Sequence, residues 1–141
     1  MANPGPASTT TTNYTPVNNQ QALVLIGVVK GLSVASAGDT VMPIVGPITD
    51  FVPTVVVTTN ANVTMATATV GIYTAPAQGG TAVLTTAALT GQTTNAFAYV
   101  RAATAVAARV TVGAAASLYV NVGTTVATGT VDIYLYGYNA S

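Results

Sequence analysis

The stretch Thr130-Val-Asp-Ile-Tyr-Leu-Tyr-Gly-Tyr138 decides the fold. Its aliphatic residues Val131, Ile133 and Leu135 fall on every second position, with Thr130, Asp132, Tyr134, Tyr136 and Tyr138 between them. Successive side chains on a strand point to opposite faces, so this alternation lays one face on a core and presents a stripe of tyrosines on the other. Ser117–Val122 repeats the pattern, setting Leu118, Val120 and Val122 against Ser117, Tyr119 and Asn121. Ala22–Val29 departs from it, being apolar on both faces, which predicts a central strand covered twice.

Working outward, Val/Thr/Ala/Tyr runs of strand length are broken throughout by Gly, Pro and Asn, the punctuation of an all-β chain. The predicted strands are Ala22–Val29, Thr40–Val45, Thr54–Thr59, Met65–Thr74, Thr81–Thr85, Ala96–Arg101, Arg109–Val112, Ser117–Val122 and Thr130–Tyr138. The clearest turn is Pro76-Ala-Gln-Gly-Gly80, where two glycines offer positive φ between alternating runs. Alanine dominates Ala102–Ala108 and Ala114–Ser117, but each is too short for a convincing helix, and both read as loops or turns. Strands of this number and spacing predict a two-sheet antiparallel β-sandwich of jelly-roll or Greek-key type, with a closed barrel as second choice.

Residues 1–20 differ in texture. Prolines at 4, 6 and 16 oppose both helix and central strand, and Ser, Thr and Asn fill most of the remainder. The chain therefore divides into an extended arm, 1–20, and a sandwich domain, 21–141. An arm of this composition packs poorly on itself, so Pro4, Pro6, Tyr14, Pro16 and Val17 are candidate contacts with a neighbouring subunit or supporting surface.

Composition narrows the chemistry. Of 141 residues only 4% are charged, three basic and three acidic, with neither histidine nor cysteine. An ordinary soluble domain is about 25% charged. Without histidine the serines lack their usual base, and Asp39, Asp50 and Asp132 lie in unconnected segments, so no catalytic residues are expected. Transition metals lose their best ligands, and no cofactor is expected. A net charge of zero with no basic cluster lacks the footprint of a nucleic-acid binder. The Ala22–Val29 run, closed by Lys30, is too short to span a bilayer, and no basic residue precedes it as in a signal peptide. Desolvated charge is the main penalty for covering a surface, so this exterior can be hidden on several sides at little cost. Conversely, a free monomer would have poor colloidal protection. The expectation is a component of something larger.

Two features stand out as candidate contact sites. Tyr134, Tyr136 and Tyr138 form an amphipathic stripe that is covered by a second sheet or the arm, meets another subunit, or stacks on sugar rings. Arg101 and Arg109 share one neighbourhood of a nearly uncharged chain and are read either as solvated or aspartate-paired, or as captors of a partner's carboxylate.

Ala22–Val29 with Leu32-Ser-Val-Ala-Ser36, Gly71-Ile-Tyr-Thr-Ala-Pro-Ala-Gln-Gly-Gly-Thr81, Ser117-Leu-Tyr-Val-Asn-Val-Gly and Val131–Tyr138 together resemble the small head decoration, or cement, proteins of tailed bacteriophages. The resemblance covers most of residues 22–138 in texture and short runs. It implies a β-sandwich or jelly-roll subunit on the outer surface of the capsid, made in the host cytoplasm. Such a subunit binds the major capsid protein and copies of itself, with a trimer as the expected oligomer, and bridges capsid subunits. The alternatives are a receptor- or carbohydrate-binding module of a head fibre or adhesin, and a small capsid or tail-tube building block.

Overall fold

A computed structural model describes residues 22–94, 98–101, 109–112 and 117–141, with the backbone alone at 98–101. The arm and the alanine-rich segments 102–108 and 113–116 lie outside these residues. The strands are β1 (Leu23–Ser33), β2 (Gly38–Pro43), β3 (Asp50–Thr59), β4 (Thr69–Ala75), β5 (Gly79–Ala88), β6 (Ala98–Arg101), β7 (Val110–Thr111), β8 (Ser117–Val122) and β9 (Thr130–Asn139).

They form two antiparallel sheets. One has the order β1-β9-β3-β6, with the short β7 joining β3 beside β6, and the other has the order β2-β8-β4-β5. Apart from the β6–β7 step, only the β4–β5 hairpin stays within a sheet; every other connection crosses to the opposite one. This winding is the jelly roll, two Greek keys wrapped about one core.

The alternation in β9 does what the sequence predicts: Val131, Ile133 and Leu135 are fully buried. They meet Ile26, Val29 and Leu32 of β1 and Phe51 and Val56 of β3 on one side of the core. Met42, Val70, Ile72, Leu84, Leu118 and Val120 close it from the second sheet. Strand β3 carries Pro53, tolerated because the register with β9 shifts between Pro53 and Val55. Opposite that bulge, a Cβ on Gly137 would stand 2.4 Å from the Val52 carbonyl oxygen, so only glycine lets the strands approach.

Three expectations change. Strand β1 is not central: it lies at the sheet edge, shielded by a bridge from Gly27 to Ile44 and by two register shifts. The predicted Met65–Thr74 strand begins only at Thr69, because residues before it turn through an Ala68 N–H to Met65 carbonyl bond while Met65 and Ala68 stay in the core. In the Pro76–Gly80 turn, positive φ falls on Ala77 and Gln78 as well as Gly80, while Gly79 donates back to the Pro76 carbonyl.

Candidate functional site

The outer face of the β1-β9-β3 sheet is built by register. Tyr134, Tyr136 and Tyr138 project from β9, which has β1 on one side and β3 on the other. On the β1 side they pair with Val28, Leu25 and Leu23. On the β3 side they pair with Val57, Val55 and Val52. Directly opposed residues share a face, so each ring is flanked by two aliphatic side chains. This explains why Ala22–Val29 is apolar on both sides: its second face belongs to the tyrosine surface, not to a further layer.

The second sheet packs against the other side of β9, so it does not cover the tyrosines. Tyr134 and Tyr136 are half-buried by their flanking neighbours, whereas Tyr138 and Leu23 at the end of the face are 43% and 48% exposed. Among the described residues none hydrogen-bonds the three tyrosine hydroxyls. Between Tyr134, Tyr136, Val57, Thr59 and Asn60 lies an open groove of about 300 Å³.

Asp132 closes the far end of the face. Its carboxylate accepts from the Gly31 amide at 2.7 Å and from Asn60 Nδ2 at 2.7 Å. Gly31 (φ +64°) and Asn60 (φ 54°) are both left-handed, so the carboxylate pins an irregular position of β1 and the residue that follows β3 to β9.

Asp50 stands at the opposite end, where β3 starts and the Ala140 amide donates to the Asp50 carbonyl. Arg109 Nη2 lies 2.8 Å from Asp50 Oδ2, and the Thr111 hydroxyl donates to Oδ1. The hydrogen bond from Arg109 first, then that from Thr111, holds the Asp50 carboxyl down to about 2. Ser141 Oγ accepts from the Thr49 and Asp50 amides at 2.9 and 3.0 Å, tying the end of β9 to the same corner.

Of the residues singled out in the sequence, the structure aligns the three tyrosines and pairs Arg109 with an aspartate. Arg101 sits in β6 opposite Val55 in register, and its side chain lies outside the described residues, as do Pro4, Pro6, Tyr14, Pro16 and Val17. The aliphatic flanks on β1 and β3 and the Asn60–Asp132 end were not singled out. The double-sided apolarity of Ala22–Val29 was the available signal. The sequence matches no known family and no curated protein.

Proposed function

We propose that this chain is a structural protein of a tailed-bacteriophage virion, binding the outer surface of the capsid and stabilising it by bridging capsid subunits. The observation that supports this reading is how little free charge the exterior retains. Asp50 is paired with Arg109; Asp132 holds Gly31 and Asn60; Asp39 accepts from Asn121 Nδ2 and the Ala77 amide, both at 2.7 Å. Lys30 is the one charged side chain among those described that neither another side chain nor a backbone amide engages. Burying such a surface is driven by apolar contact at about 25 cal/mol per Å², with little ionic desolvation to offset it. Repetition over a lattice multiplies modest contacts. The jelly roll is a recurrent capsid architecture, which fits the reading without deciding it.

Incorporation is the test. Heads of the phage that encodes the chain should bind the full-length protein and gain resistance to heat, while a form lacking residues 1–16 should fold yet fail to stay attached. Full-length protein that ignores such heads overturns the proposal, and truncated protein with unchanged occupancy overturns the arm's part in it. A second reading, a carbohydrate-binding module, is favoured by the tyrosine-lined groove. It requires that Tyr136→Ala with Tyr138→Ala abolish glycan binding and leave incorporation intact.

A further inference from the structure

The first described strand starts at one corner of the tyrosine face. β1 begins at Leu23, directly opposite Tyr138, so residues 1–21 join the domain at the exposed end of the face. We propose that this face is the seat of the arm of a second copy, and that exchange of arms holds copies of the chain together. The inference concerns the free protein, so its outcome is independent of whether capsids are the further partner.

Size is the first argument. From Asp132 to Tyr138 the face runs roughly 20 Å at about 3.4 Å per residue, and three strands about 4.8 Å apart make it roughly 15 Å wide. A patch of about 300 Å² falls well short of the roughly 800 Å² per partner that a stable protein interface needs. Two domains pressed together on this face alone would not hold. One extended segment fits it and brings the remaining contact area along its own length.

Chemistry is the second. Residues 1–21 contain no charged side chain, and the carboxylates at the two ends of the face they adjoin are already engaged within the chain, Asp132 by Gly31 and Asn60 and Asp50 by Arg109 and Thr111. Pro4, Pro6 and Pro16 favour the extended polyproline conformation, which loses little entropy on docking and is recognised by aromatic-lined grooves. The groove beside Tyr134 and Tyr136 is such a feature.

Direction is the third. The chain enters β1 from beyond the Tyr138 end. Lying on its own face would require the segment to double back, whereas a straight continuation of β1 leads off the domain. At about 3.5 Å per residue, 21 residues reach roughly 70 Å, ample to cross to a neighbour. Reciprocal exchange of identical segments is a low-cost route to closed oligomers.

The chain has no cysteine, so introduced thiols report unambiguously. Full-length Val17→Cys carrying a mass tag is co-expressed with full-length Val57→Cys and, separately, with Val41→Cys, whose site on β2 is 54% exposed and faces away from the tyrosines. Under mild oxidation the Val17–Val57 pair should give a mixed disulfide at least tenfold in excess of the Val17–Val41 pair. Adding Tyr136→Ala to the Val57→Cys chain should remove that excess, and light scattering of the unmodified protein should show an oligomer. Equal cross-linking to both sites overturns the proposal. So does a Val17→Cys/Val57→Cys double variant that closes its disulfide within one monomer, since the arm then lies on its own domain. A monomer without cross-links overturns it too and leaves the face to a capsid protein or a neutral glycan.

Discussion

The two outer faces of this sandwich both carry tyrosines on inner strands, but among the described residues only the β2-β8-β4-β5 face ties a tyrosine hydroxyl down within the chain. On the β2-β8-β4-β5 sheet, Tyr73 is only 8% exposed, lies across Gly71 and shares a 2.8 Å hydrogen bond with Thr86. Beside it Asn121 donates to Asp39 and accepts from Gln78 Nε2 at 2.8 Å, so the β4–β5 turn is tied down onto the sheet. On the β1-β9-β3 sheet, the three rings of β9 have aliphatic flanks and no hydrogen-bond partner among the described residues. A ring whose hydroxyl is satisfied and whose edge is covered within the chain has finished its packing. Rings aligned without such partners have not, and three of them stand in a row on β9 against Tyr119 alone on β8, which is why the contact surface is proposed on the β1-β9-β3 side.

The largest effect separates the two faces of a single strand. Leu135 is fully buried, and Leu135→Ala should cost about 2–5 kcal/mol in urea unfolding because it leaves a cavity between the sheets. Its neighbour Tyr136 meets Leu25 and Val55 across the strands, and Tyr136→Ala should cost about 1 kcal/mol or less. Equal costs would mean that the tyrosine face is a second core within the chain, and the contrast would fail.

A smaller effect comes from the covered tyrosine. A Cβ on Gly71 would lie 2.6 Å from Tyr73 Cε2 and 3.0 Å from Thr86 Oγ1, so Gly71→Ala must push the ring off the sheet. Overpacking of this kind costs about 1–3 kcal/mol. Tyrosine absorbance under solvent perturbation should then report one more accessible ring than in the parent. Smaller again is Asn121→Ala, which removes the links to Asp39 and Gln78. It should cost about 1–2 kcal/mol and speed amide exchange at Ala77, whose left-handed backbone those side chains support. Unchanged exchange there would show that the turn needs no clamp.

What could be read from the sequence follows from the range of each signal. Alternation reports which residues share a face, so the core face of β9, its tyrosine face and most of the strands were legible from Val131, Ile133, Leu135 and their counterparts. Alternation carries no information about which strands are neighbours. Ala22–Val29 therefore looked like a central strand, when its two apolar faces are the core and a patch shared with Val52, Val55 and Val57. Polar pairings were hidden for the same reason. Asp132 meets the Gly31 amide across 101 positions and the Asn60 side chain across 72, and only the winding of the sheets brings them together. The turn at Pro76–Gly80 was legible from its glycines, but its left-handed residues Ala77 and Gln78 were not, because Asp39 and Asn121 hold them from other strands.

Acid gives the finest comparison, since each sheet has one aspartate whose carboxyl is held below its ordinary value. Asp39 on the hydrogen-bonded face is lowered by the bond from Asn121 first and by the Ala77 amide second. Asp50, at the Arg109 corner of the tyrosine-bearing sheet, is lowered from 3.8 to about 2. For both, the folded chain prefers the ionised form more than the unfolded chain does, so each contributes stability that is complete above about pH 4. That contribution is lost as pH falls, for Asp50 through the interval from 3.8 to about 2. Asp39 is exposed, and the Arg109 that pairs with the largely covered Asp50 is itself 60% exposed, so the loss is modest, and raised salt should shrink the Arg109 share. Asp50→Asn should flatten the decline in unfolding midpoint below pH 4, and Arg109→Ala should move the midpoint of that decline upward toward the ordinary value. The Ala77 amide resonance, followed by NMR, should titrate with Asp39 at a pH below its ordinary value, while the amide of Leu135, whose side chain fills the core, holds its position. A Leu135 resonance that shifted along with Ala77 would show that acid loosens the whole sandwich at once, and the two outer faces would then not be separable in their response to charge.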